Sequence, residues 1–178
     1  MDTAGRRTAS PSLRGDAVSG ALLRLSPLFD HPLASGVGVR LVEIPSVPAV
    51  NVQGTADFPR PEPGSVAQWG ERAVLWLGPT EWLVVGPGPD LPGGVDVSAN
   101  RTTIELSGPH ARDVLEKGCT LDLHPRAFSE GHCAQTTVAR TQVILWQTSD
   151  APVYRLMVRG SFARYLADWL VDASREYL

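Results

Sequence analysis

The chain has 178 residues, 43% hydrophobic, 20% charged and 7% aromatic, which excludes disorder throughout and suffices for one ordinary domain or two very small ones. Its 16 basic residues, all arginine but Lys117, are scattered among 19 acidic ones for a net charge of -3, which argues against nucleic acid as the main partner. Two cysteines predict a reduced cytoplasmic protein rather than a disulfide scaffold, and no apolar run approaches the ~18 to 20 residues of a membrane span.

Residues 1–20 are rich in Ser, Thr, Ala, Gly and Arg with almost no large apolar side chain, and predict a disordered, solvated tail. The Arg6-Arg7 pair has no apolar stretch behind it, so the tail is not read as a targeting segment. Order is expected over 21–178, as two interlocked α+β halves of about 21–94 and 95–178.

The proline-bounded segment from Ser26 to Leu33 reads as a strip laid across a surface. Val37 to Ile44 and Val47 to Gln53 are β-branched and predict two strands parted by Pro45-Ser46. An irregular connection over 54–66 follows. Arg72 to Leu77 and Glu81 to Val85 predict two further strands joined at Gly78-Pro79-Thr80, apolar on both parities and therefore covered on both faces. The Pro- and Gly-rich run 86–94 is a loop.

The second half opens with Val95 to Ser98 and a strand from Arg101 to Leu106. Ser107 stands where a helix N-cap belongs, Pro109 suits the start, and Gly118 suits a positive-φ C-terminal position. Asp113 precedes Lys117 by four, a favourable pairing. After the loop at Pro125 to Phe128, Ala134 to Arg140, Gln142 to Gln147 and Val153 to Arg159 predict strands. Ser161 is expected to cap a final helix whose inward face is Phe162, Tyr165, Leu166, Trp169, Leu170, Ala173 and Tyr177. Seven or eight strands and two helices make an α+β fold with a largely antiparallel or mixed sheet.

Residues in the spacing of a chemical site are scarce. The glycines of 86–94 are interleaved with proline and lack a following helix, unlike a phosphate-binding loop. Cys119, His124, His132 and Cys133 lack the paired spacing of a zinc site. Cys119 follows a predicted helix C-terminus, where the dipole disfavours a thiolate, so a structural role is expected for it. Asp96, two residues before Ser98, is the most suggestive carboxylate, with a local turn as the simpler reading. Composition and spacing alone assign no enzyme activity.

An ordered series of residues nevertheless resembles a known family. Leu77-Gly78-Pro79-Thr80-Glu81-Trp82-Leu83, Val95-Asp96-Val97-Ser98 with Arg101 and Thr102, Leu106-Ser107-Gly108-Pro109, and Cys119 with Leu121-Asp122-Leu123 and Pro125-Arg126-Ala127-Phe128 look like the gamma subunit of heterotetrameric sarcosine oxidase. Cys133, the strand around Val143-Ile144-Leu145-Trp146 and the Ser161-Phe162 helix continue it, so that about residues 25–178 are covered.

The resemblance implies a noncatalytic structural and assembly subunit. In such a complex sarcosine is oxidatively demethylated to glycine, the one-carbon unit passes to tetrahydrofolate, and hydrogen peroxide is produced. FAD, FMN and NAD belong to the alpha and beta subunits, zinc to delta, and tetrahydrofolate to alpha, with alpha the expected direct contact of this chain. The family is also similar to aminomethyltransferase folate-binding domains, which implies a related α+β fold. This chain departs from its relatives in having the 86–94 loop where they tend to have a helix. On this reading the chain has no catalytic or metal-binding residues. Trp69, Trp82, Arg101 and Arg126 are candidate partner contacts. Two other readings are a free-standing folate-binding one-carbon-transfer protein, with Asp96 placing an amine and Arg101 the folate carboxylates, and a thiol or metal protein built on Cys119 and Cys133.

Overall fold

A computed structural model describes residues 25–45, 47–54, 57–88 and 90–178. The expected tail, 1–20, lies outside the described residues. Among those described, ten strands form two five-stranded sheets. Sheet A has the order β1 (Arg40–Ile44), β7 (Arg101–Ser107), β10 (Val153–Arg159), β9 (Thr141–Ser149) and β8 (Cys133–Val138). Sheet B has the order β3 (Val66–Trp69), β4 (Arg72–Gly78), β5 (Glu81–Val85), β2 (Ala49–Gln53) and β6 (Val95–Asp96). Every neighbouring pair is antiparallel. Thus β1 leaves the N-terminal half to pair with β7, while β6 returns to pair with β2.

The layers follow from the two-residue period of a strand. Val143 and Leu145 of β9, with Tyr154, Leu156 and Val158 of β10, face out from sheet A under α1 (Ala111–Glu116) and α2 (Ala163–Ser174). The alternate residues Ile144, Trp146 and Met157 meet Ala73, Leu75, Leu83 and Val85 of sheet B in a shared middle layer. The other parity of sheet B, Val74, Trp82 and Val84, forms a third cluster with Phe58, Trp69 and Leu91. The two-sided apolar pattern of β4 and β5 is this sandwich position.

Several local expectations change. Val66–Trp69 is a strand that the sequence reading leaves out, an edge piece of four residues directly behind a Pro- and Gly-rich connection. Ser107 ends β7 and caps nothing; the residue before α1 is His110, without a side-chain cap bond, and Gly108 at φ 113 makes the turn between strand and helix. Gly118 does not adopt positive φ. Its small size serves packing, because a Cβ there would lie 2.4 Å from the Trp169 ring. Asp113 pairs with His110 at 2.7 Å, while Lys117 crosses to Glu176.

Ser161 lies inside a short 3-10 turn, Gly160–Phe162, and makes no cap bond to α2. The buried face of α2 is Ala163, Leu166, Ala167, Leu170 and Ser174, a helical i, i+3, i+4 stripe that keeps the expected Leu166 and Leu170, with the expected Trp169, Ala173 and Tyr177 packed along its edge. Small residues on this stripe let the helix lie close to sheet A, and Phe162 and Tyr165 are left exposed on its flank.

Candidate functional site

One end of sheet A carries a recess of about 190 Å³ lined by Arg101, Gln135, Thr136, Thr137, Gln142 and Arg159 among others. Its geometry follows from register. Arg101 opens β7 directly opposite Arg159, which closes β10, so two guanidinium side chains leave the same face of sheet A side by side. On β8 and β9, Thr137 sits opposite Gln142 on that same face. Gln135 spans to sheet B by donating to the Leu77 carbonyl at 3.0 Å. Neither arginine has an ion pair within the described residues. Burial, and then the neighbouring Arg159, lower the Arg101 pKa, with Glu81 opposing them weakly. Glu81 itself accepts a 2.7 Å bond from Asn51 Nδ2.

Arg101 also lines a second, larger groove of about 780 Å³, with Leu25, Phe29, Ile44, Val47 and Ser98 in its walls. The proline-bounded strip is held there by Arg164, whose Nε donates to the Pro27 carbonyl at 2.8 Å. Leu25 and Phe29 are 63% and 69% exposed.

Asp96 stands apart from these arginines in its bonding. Its Oδ1 accepts from the Ser98 backbone N–H at 2.9 Å and the Ser98 hydroxyl at 2.6 Å, and Ser98 Oγ accepts the Ala49 N–H at 2.9 Å. The carboxylate thus builds the corner that fastens β6 to β2, the local-turn reading. Trp82 is a core residue, only 5% exposed, and packs edge-on to Phe58, which removes it as a partner contact. Trp69 is half-buried on the same outer face, beneath the Arg72 guanidinium at 5.3 Å. Arg126 is exposed in the loop after α1. The four expected contacts are therefore on three separate regions, and the structure joins Arg101 instead to Arg159, which no short sequence motif announces because the two are 58 positions apart in the chain.

The sulfur groups lie on opposite faces of sheet A. Cys119 packs at the edge of the helix-covered cluster and Cys133 in the middle layer, both as free thiols. Burial pushes the Cys133 thiol up to about 11, with the Trp76 backbone opposing it, and the thiol donates to the Ser65 carbonyl at 3.2 Å, so it is a poor nucleophile at neutral pH. His132 contacts Ser129, and His124 Nδ1 accepts the Arg126 N–H at 3.2 Å. Among the described residues no three metal-ligating side chains converge, and no helix is long and apolar enough to cross a membrane.

Residues 90–176 match the family described as sarcosine oxidase, gamma subunit. A sarcosine oxidase subunit gamma of Corynebacterium sp. strain P-1 is 40% identical over 158 residues, spanning 82% of this chain and 69% of that protein. One from Arthrobacter sp. is 35% identical over 189 residues, spanning 98% and 93%. Among solved structures, the chain superposes with a TM-score of 0.74 and 29% identity on a chain of the heterotetrameric sarcosine oxidase from Corynebacterium sp. U-96, in complex with pyrrole 2-carboxylate. The match spans 87% of this chain and 96% of that one.

Proposed function

The chain belongs to the sarcosine oxidase gamma subunit family, and from that premise we propose that it is a noncatalytic structural and assembly subunit of a heterotetrameric sarcosine oxidase, with the alpha subunit as its direct contact. The observation that carries this reading is that nearly the whole of one chain of such a complex superposes on it, at 96% coverage. The described side chains favour the same role. Asp96, Asp113, Glu105 and Glu176 are each engaged by a neighbouring side chain of this fold, and the buried thiol of Cys133 is held protonated.

In this reading the demethylation of sarcosine takes place on the partners, which hold FAD, FMN, NAD and zinc and bind tetrahydrofolate, and the complex is cytoplasmic. The unit that assembles is 21–178, whose halves 21–94 and 95–178 are interlocked by the exchange of β1 and β6. A stable interface requires on the order of 1,000 Å² or more in total. Of the expected contacts, Arg101, Trp69 and Arg126 retain accessible surface for it.

The test is co-expression of the tagged chain with alpha, beta and delta subunits, followed by size exclusion and a flavin absorbance spectrum. Coelution with yellow, sarcosine-oxidising material is expected. A colourless chain that elutes alone overturns the assembly role. Tight retention of tetrahydrofolate by that lone chain, lost on Arg101→Ala, would establish a folate-binding protein in its place.

A further inference from the structure

The recess at the end of sheet A and the apolar groove beside it adjoin at Arg101, which lines both. We propose that this surface seats a segment of the alpha subunit that lays apolar side chains along the groove and inserts an aspartate or glutamate between Arg101 and Arg159. The inference rests on the assembly role above and names where and by what chemistry the partner is held.

Like charges placed directly opposite on adjacent antiparallel strands repel, and here the pair is Arg101 and Arg159. Within the described residues no carboxylate lies within ion-pair distance of either, and Glu81, the acid that Arg101 senses, is bonded to Asn51. A carboxylate placed between the two side chains meets charged donors from both, and the planar guanidinium fork suits carboxylate oxygens. Thr137 and Gln142, paired across β8 and β9, add hydrogen-bonding groups to the lining.

The recess alone, about 190 Å³, is below the roughly 300 Å³ at which small-molecule pockets begin. It fits one side-chain headgroup. The groove that adjoins it at Arg101 carries Leu25 and Phe29 largely exposed. An apolar trough with Arg101 in its wall and Arg159 in the recess beside it is the composition of an interface centre, where apolar and arginine anchors are enriched.

The experiment uses the assembled complex with Arg101→Met, Arg159→Met and Arg101→Lys chains, each first shown by circular dichroism to be folded. The two Met variants should weaken capture by the other subunits by at least about tenfold, and Arg101→Lys by less, since losing one side of a desolvated charge pair is costly. Unchanged capture by the Met variants overturns the inference. Should they not fold, the reading is taken from the chain with the photocrosslinker p-benzoylphenylalanine in place of Phe29. A crosslink to alpha supports the inference, while crosslinks confined to residues 1–24 of the same chain, to beta or delta, or to nothing overturn it. Failure of the wild-type chain to join the complex at all would instead overturn the assembly role, which separates the two failures.

Discussion

On sheet A the outward-facing Leu145, Leu156 and Val158 lie under α1 and α2, whereas on sheet B the outward-facing Val74, Trp82 and Val84 lie under Phe58, Trp69 and Leu91. The first cover is made of two helices whose small and aliphatic residues interdigitate with the strands. The second has aromatic rings and arginines: Phe58 lies 6.0 Å from Trp69 and 5.7 Å from Trp82, with Arg60 over Trp82 at 5.3 Å. Few bulky rings cover a sheet face without regular structure because each removes a large apolar area from water. The difference teaches that one sandwich can close its two sides by periodicity and by bulk.

Truncation tests that contrast most strongly. Leu156→Ala opens a cavity between strands and helices that neither side can easily fill, and should destabilise the chain by about 2–5 kcal/mol in denaturant titration. Phe58→Ala, at a half-buried position in the connection before β3, should cost less because that loop can settle into the space. Equal losses would mean that both covers are equally rigid and would break the comparison.

The middle layer, common to both sides, is reported by Cys133. Its thiol is 1% exposed and its pKa is raised by burial to about 11, from an ordinary value of 9.0. The neutral thiol is the form the fold favours, so its contribution is fully present below pH 9 and is lost as pH climbs through 11. The alkaline loss should be roughly 2–3 kcal/mol, and Cys133→Ala should flatten the stability curve between those limits. In labelling at neutral pH, half-buried Cys119 should react with a thiol reagent from the folded state and Cys133 only after unfolding. Simultaneous labelling would show the middle layer to be open.

How much of this was legible follows the same division. The strands of sheet A and the start and length of α2 are written in β-branched runs and a helical stripe, and the structure follows them to within a few residues. Of the expected stripe, Leu166 and Leu170 are buried and Trp169, Ala173 and Tyr177 pack against the core, whereas the large apolar Phe162 and Tyr165 are exposed and the small Ala163 and Ala167 dock in their place. Hydrophobic weight misleads where close approach needs small side chains. Ser107 and Ser161 have cap chemistry but stand in a strand and a 3-10 turn, since tertiary context decides whether a serine meets a free N–H. The turn at Asp96 is readable in two residues, whereas the Arg101 and Arg159 pairing depends on sheet order and has no local signal.

The smallest expected effect probes the bulk-covered side at Arg72. Its side chain lies over Trp69 at 5.3 Å and its Nε donates to the Pro87 carbonyl at 2.9 Å, tying the 86–94 loop to the sheet. Gly88 makes the approach possible: at φ +147 it presents no Cβ, and one added there would lie 2.1 Å from the guanidinium. Arg72→Met keeps the apolar stem and loses the donor and the charge over the ring, which should cost about 1 kcal/mol, since the Pro87 carbonyl can turn to water. Amide exchange should quicken in 86–94 and β3 and stay unchanged in α1 and α2. Gly88→Ala should cost more in the wild-type chain than in the Arg72→Met background, because the backbone strain is common to both and the guanidinium clash belongs only to the first. Equal costs, or faster exchange in the helices, would show that the loop is not held through Arg72 and that the two covers open together.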